Sequence, residues 1–320
     1  MRQYLIRRLL LMIPVFIGIS MIVFALIHTT PGDPFANLVQ ADVSKEDREL
    51  MLKQIGYYDP LPVKYVKWAG QALQGNLGWS IKYREPVMEL MQRRLANTFG
   101  LSLMAMLLST IIAIPLGVIS ATRQYSAFDY IATVIAFIGI SIPAFFFALG
   151  MIKIFAVDLG WFSVSGMQSI GVKLTGWQKA VDIFKHAFLP LFVLTMVQTA
   201  SLMRYTRSAM LEVFQQDYIR TARAKGVPER TVVYKHALRN SLIPITTLLT
   251  LRLSGLLSGA TLTETVFLWP GMGTLIYQAV SNRDYNVITS GVLLIAVTIL
   301  FCNLLADVLY AFVDPRIRYD

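Results

Sequence analysis

Four basic side chains, Arg223, Lys225, Arg230 and Lys235, flank the acid Glu229 in the segment Asp217-Tyr-Ile-Arg-Thr-Ala-Arg-Ala-Lys-Gly-Val-Pro-Glu-Arg-Thr-Val-Val-Tyr-Lys-His-Ala-Leu-Arg-Asn240. Such a set pairs with acidic groups on a protein partner or with anionic headgroups. Elsewhere the side chains that do chemistry are scattered. His28, His186 and His236 are far apart, lack metal-ligand spacing, and are expected as caps or interface residues. No glycine loop followed by Lys and Ser/Thr is present to cradle a phosphate, so ATP would have to bind on another chain. The single cysteine, Cys302, excludes an intramolecular disulfide. No catalytic residue and no metal site is expected.

The elements that position the basic set are legible locally. Glu212 to Lys225 contains no proline or glycine and favours helix. Gly226 can take the left-handed conformation that ends a helix at little cost. Pro228 suits the first turn of a following helix, and Glu229 is an acid where the macrodipole favours one. The segment is therefore expected as a helical hairpin. Ala222 and Ala224 are small enough to allow close approach, either to a neighbouring molecule or to the hairpin's own second helix.

Hydrophobic residues make up 55% of the 320, yet the net charge is +10. These facts conflict for a soluble globule and agree for an all-α polytopic membrane protein. Apolar stretches at 9–28, 98–121, 130–155, 187–203, 240–262 and 287–312 predict six transmembrane helices. Most reach the roughly 20 residues that cross a bilayer core of about 30 Å. Arg2, Arg7 and Arg8 before the first stretch resemble a signal peptide. That stretch is long, however, and the following Thr29-Thr-Pro-Gly-Asp-Pro34 lacks a small-x-small cleavage site, so a retained helix is expected.

The chain thus divides into an N-terminal end with the first helix (1–28), an extracytoplasmic insertion (29–97), a five-helix core (98–312) carrying the basic loop 204–239, and a cytoplasmic tail (313–320). Basic residues set the orientation. Arg2, Arg7, Arg8, Arg123, the loop cations from Arg204 to Arg239, Arg316 and Arg318 fall on one side, expected to be cytoplasmic. The basic charge therefore reflects topology, and no nucleic-acid signature accompanies it.

Within 29–97, Ser44 and Asp47 resemble a helix cap before an element ending near Gly56. Pro62 can begin a second helix, with Tyr65, Trp68 and Ala72 at helical spacing and Gly75 as its stop. Val87, Leu90, Met91 and Leu95 form an apolar stripe, expected to pack on the rim of the membrane domain or against a soluble partner. Trp161, Phe162 and Trp177 in the outer loop 156–186 fit an interfacial aromatic belt.

The loop resembles the EAA loop of bacterial ABC-importer permeases, and nearly the whole chain resembles the B-type subunit of the dipeptide/oligopeptide permease family. The resemblance rests on the order and spacing of Thr30-Pro-Gly-Asp-Pro34, Gly75-Asn-Leu-Gly-Trp-Ser80, Ser141-Ile-Pro143, Leu159-Gly-Trp161 with Val164-Ser-Gly166, Glu264-Thr-Val-Phe-Leu-Trp-Pro-Gly-Met-Gly273, Arg283-Asp-Tyr285 and Asp314-Pro-Arg-Ile-Arg-Tyr319. The general pattern's Glu-Ala-Ala is here Thr221-Ala-Arg223, and its later Leu-Pro is Leu238-Arg239, with Pro244 nearby.

The resemblance implies a type I ABC importer permease-like fold in a bacterial inner membrane, with both termini cytoplasmic. It implies a second homologous permease, two ATP-binding subunits holding ATP and Mg, an extracytoplasmic peptide-binding protein and a surrounding bilayer as partners. The hairpin would seat in a groove of an ATPase subunit, with Gly226 shaping it, Ala222 as a close contact, and Thr221, Arg223, Lys225, Glu229 and Arg230 at the docking surface. Short peptides are the expected substrate. Nickel chelates or glutathione are the alternative within the same family.

Two residues bear on the pathway. Arg252 lies mid-span, where burial in lipid is costly, so it should face the translocation cavity or a subunit interface and is placed to meet a peptide carboxylate. Glu264 follows the fifth span and could contact substrate or hold a rim loop together. Lys153, near an outer span end, can snorkel. A self-contained channel or secondary transporter would need an ion-coupling carboxylate, for which Asp307 is the candidate. A membrane-embedded enzyme would need paired catalytic groups at one depth, and none is found.

Overall fold

Apolar runs, proline breaks and glycine stops divide the chain into helices of very unequal length. In this computed structural model the described residues are 2–29, 49, 53, 56, 58–256 and 260–313. Among them the architecture is helical, with one isolated bridge between Trp79 and Pro86. Helix α1 is Arg2–Thr29 and α2 is Leu61–Leu73. Helix α3 is Val87–Thr122, α4 Ala127–Ser141, and α5 Ala144–Met151, which continues as a π-helix over Ile152–Asp158. Helix α6 is Gly176–Phe214, α7 Asp217–Ala224, and α8 Glu229–Thr231, which runs through a π-helical Val232–Leu238 into α9, Arg239–Ser254. Helices α10, α11 and α12 are Thr261–Val266, Met272–Asn282 and Tyr285–Val313.

Among the described residues four helices are long and apolar enough to cross a membrane, or five if α4 and α5 with its π-helical continuation count as one span. The 130–155 stretch was expected as one helix, but it bends by 102° at Ser141-Ile-Pro143. Pro143 has no N–H to continue the ladder, and it forces Ile142 into extended geometry (φ −78°, ψ 124°). The 240–262 stretch appears as the 16-residue α9, with residues 257–259 outside the described set. The architecture is the expected polytopic one, while six remains an expectation for the number of spans.

Helices α3 and α6 make the most extensive helix–helix contact among the described residues. With 36 and 39 residues they are about 54 and 58 Å long at 1.5 Å per residue, well beyond the roughly 30 Å of a bilayer core. Small residues let them approach. A Cβ on Gly117 would lie 2.6 Å from the Thr206 Cβ, so only glycine fits there. Ala113, Ala136 and Ala200 pack with Leu202, Met203 and Ile245 beside this contact.

The excess length of α3 is used outside the membrane. Val87, Leu90 and Met91 are buried against Met272, Leu275, Ala279 and Val287 of α11 and α12. Each such burial contributes about 1.5–3 kcal/mol, so the predicted stripe packs on the molecule's own rim. In α2, Tyr65 and Trp68 pack on Phe24 of α1, and Gly75 follows with φ +82°. Gly56 also has positive φ, +72°. The expected Ser44–Asp47 cap and the tail from residue 314 lie outside the described residues. Helix α1 packs on α12, where Arg8 Nε and Asp307 Oδ2 approach to 2.9 Å without hydrogen-bond alignment.

Candidate functional site

The hairpin begins where α6 stops at Phe214. Helix α7 ends in a Schellman arrangement, because Gly226 adopts φ +71°. The Gly226 N–H donates to the Arg223 carbonyl at 3.0 Å and the Val227 N–H to the Ala222 carbonyl at 3.2 Å. Both bonds satisfy carbonyls that a helix end leaves open. A Cβ at Gly226 would meet nothing within 4 Å, so glycine is required by backbone conformation alone. Pro228 then caps α8 (φ −51°, ψ 135°), with Glu229 as its first residue.

The two arms close on a shared apolar core. Ile219 and Ala222 from the first arm meet Val232, Val233 and Ala237 from the second. Val118 and Ala121 of α3 and Met210 of α6 complete the cluster. The hairpin thereby shares one apolar cluster with an end of both long helices. Ala222 belongs to this internal cluster and is 9% exposed.

The outer surface is polar. Thr221, Lys225, Gly226, Glu229 and Arg230 are exposed, as is Arg223. Arg223 and Glu229 pair with each other, Nη2 to Oε1 at 2.6 Å and Nε to Oε2 at 3.1 Å. That pairing holds the Glu229 carboxyl below the usual carboxylate range and raises the guanidinium of Arg223. Arg223 also lies 5.5 Å above the Phe214 ring, tying the turn to the end of α6. The presented surface is therefore Thr221, Lys225 and Arg230 around an internally closed ion pair. Beside it a cleft of about 510 Å³ separates the hairpin from the 121–125 turn, with Arg123, Tyr125, Phe214 and Glu229 in its wall.

A second set of contacts braces the same end. Asp129 is 3% exposed and binds Arg207 through both oxygens. It also accepts hydrogen bonds from Ser120 and the Tyr125 N–H. Charge counting had taken Arg207 only as a topology marker. The overlooked signal was Ser126-Ala-Phe-Asp129, a helix-capping pattern in which the Asp129 N–H donates to Ser126 Oγ at 3.3 Å.

The remaining predicted residues lie away from the hairpin. Arg252 is half-buried on α9 and donates to Ser201 Oγ at 2.8 Å and the Gln198 carbonyl at 3.4 Å. Glu264 has no exposed surface. Its carboxylate accepts from Thr98 Oγ1 at 2.5 Å, the Gly273 N–H at 2.8 Å and the Thr274 N–H at 3.3 Å. Gly271 and Gly273 are required there, since a Cβ on either would lie under 3.0 Å from the carboxylate. The Glu264–Gly273 stretch is thus a loop knotted around its own acid and pinned to α3.

Two other sequence landmarks, 75–80 and 283–285, meet each other. Ser80 Oγ donates to Asp284 Oδ2 at 2.6 Å, and Asn286 Nδ2 donates to the Trp79 carbonyl at 3.0 Å. A Cβ on Gly78 would strike Asn286 Nδ2 at 2.9 Å.

Residues 113–319 match the family model described as binding-protein-dependent transport system inner membrane component, and residues 1–102 match the corresponding N-terminal model. The chain is 43% identical over 320 residues to the oligopeptide transport system permease protein AppB of Bacillus subtilis, covering all of both chains. It is 40% identical over 337 residues to the dipeptide transport system permease protein DppB of Escherichia coli K12, covering 100% of this chain and 99% of that one. Its fold is similar to a chain of the MetNI methionine ABC transporter in an inward-facing conformation. That match has a TM-score of 0.54 and 20% identity, and it covers 71% of this chain and 97% of the other.

Proposed function

Because the chain belongs to the family of binding-protein-dependent transport system inner membrane components, we propose that it is the permease subunit of an ATP-driven importer of short peptides. It forms half of the translocation path, and a second, related permease forms the other half. Two cytoplasmic ATPase subunits bind ATP and Mg, and an extracytoplasmic binding protein delivers the peptide. The chain itself is a transporter component and hydrolyses nothing. Its near-full-length relatives carry peptide-transport names, which supports peptides over nickel chelates or glutathione.

The observation that carries the coupling role is the weld beneath the hairpin. Ile219, Ala222, Val232, Val233 and Ala237 bind it to the ends of α3 and α6, while Thr221, Lys225, Gly226 and Arg230 stay exposed. An ATPase seated on that exposed surface moves the hairpin as a rigid piece and tilts both long helices with it. The cavity between the two permeases then changes its open side. Both termini lie with the hairpin on the cytoplasmic face of a bacterial inner membrane. Asp307, the carboxylate that a secondary-transport reading would need, lies 2.9 Å from Arg8 Nε.

The test is uptake of labelled short peptides into proteoliposomes holding both permeases, the ATPases and the binding protein. Accumulation that requires ATP, and that fails in Gly226→Val together with ATPase binding, is the expected result. Solute movement without ATP would overturn the importer reading, as would accumulation of nickel chelates or glutathione in place of peptides.

A further inference from the structure

Arg252 carries a charge that its surroundings leave open. Its partners are both neutral, the Ser201 hydroxyl and the Gln198 carbonyl. A guanidinium has five N–H donors and does not deprotonate in proteins, so several donors and a full charge remain. Three other charged side chains in or beside the apolar stretches have an oppositely charged partner. Asp129 is held by Arg207, Lys153 by Asp158, and Asp307 by Arg8. No acid lies within ion-pair reach of Arg252 among the described residues.

Gln198 and Ser201, three residues apart on one face of α6, give Arg252 two polar neighbours. A half-buried arginine in the last turn of α9, with only neutral partners, is stabilised by an anion that arrives there.

We propose that Arg252 reads the C-terminal carboxylate of the peptide during its passage, with Ser201 and Gln198 holding the guanidinium in position. This rests on the peptide-importer reading above. A carboxylate can take two parallel N–H bonds from the fork, and partial exposure keeps the pair weak enough to release. The amino end and side chains of the peptide make no demand on this group, so peptides of different sequence pass alike.

The experiment compares trialanine with trialanine amide in the full reconstituted system, each supplied as saturating preloaded binding protein. In the wild type the free acid is expected to move roughly tenfold faster than the amide, the scale of one hydrogen-bonded charge. Arg252→Gln should slow trialanine to the amide's rate and leave the amide's own rate unchanged. Arg252→Lys should keep part of the preference. An acid-to-amide ratio unchanged in Arg252→Gln would overturn the proposal while leaving peptide import intact. Loss of the second permease on purification of Arg252→Gln would also overturn it, assigning the residue to the subunit interface. Wild-type vesicles that accumulate neither cargo with ATP would sink the importer reading itself.

Discussion

Arg207 grips both carboxylate oxygens of Asp129, Nε to Oδ1 at 2.7 Å and Nη2 to Oδ2 at 2.8 Å. The pair ties α4 to α6 just where the hairpin is welded on, with side chains 24% and 4% exposed. Removing one partner of a buried pair costs about 3–5 kcal/mol, because the other charge is left unmatched. Asp129→Asn should therefore lower the unfolding temperature in detergent markedly. Combining it with Arg207→Gln should recover part of the loss. Strictly additive effects in that double-mutant cycle would show that the pair is not coupled.

The knot around Glu264 makes a graded prediction. Glu264→Gln keeps one acceptor oxygen but offers an N–H₂ where the other oxygen accepted, a loss of about 1–3 kcal/mol. Glu264→Ala strands Thr98 Oγ1 and the Gly273 and Thr274 N–H groups together and should be worse. Gly273→Ala should be severe, since its Cβ would lie 2.5 Å from the Thr261 Cα, which is backbone and cannot swing aside. Size-exclusion profiles of solubilised protein would rank the three. Glu264→Ala behaving like the wild type would sink this account.

How much of this was legible in the sequence depends on how local each cause is. The hairpin was readable because Gly226 and Pro228 act on their own backbone, and Gly226 indeed takes φ +71°. The long apolar helices were readable from composition, but their ends were not. Helix α3 starts at Val87 and α6 ends at Phe214 because tertiary packing extends them past the apolar windows. The bend at Pro143 was hidden by unbroken hydrophobicity on both sides. The Ser80–Asp284 bond spans 204 residues, and no local pattern encodes such a pairing. For Glu264 the uncertainty between pathway and rim loop was about burial, which a sequence does not display.

The Ser80–Asp284 bond predicts how the 75–86 segment is held. Asp284 is 1% exposed and also accepts from the Lys82 N–H at 3.3 Å. Ser80→Ala leaves that buried carboxylate short of a donor, at a cost of about 1–3 kcal/mol. The turn at 80–86 should then be cut faster by protease added to solubilised protein, with the helices intact. Equal cleavage rates for Ser80→Ala and wild type would mean that the Trp79–Asn286 contact and the packing of Val87 hold the segment unaided.

The hairpin's own ion pair gives a pH prediction with a definite sign. Arg223 holds the Glu229 carboxyl below its ordinary value, so the pair's contribution is complete above the ordinary carboxylate pKa of about 4.3. It fades as pH falls through the depressed value, when Glu229 is protonated and the two bonds to Arg223 weaken. Both side chains are largely exposed, 45% and 60%, which limits the effect to roughly 0–1 kcal/mol. Amide exchange at Val227 and Val232, corrected for intrinsic rates, should show slightly less protection at pH 3 than at pH 6. In Glu229→Gln the protection should start lower at pH 6 and stay flat. An equal fall in both proteins would place the titrating group elsewhere and leave the turn held by Gly226 and its apolar core alone.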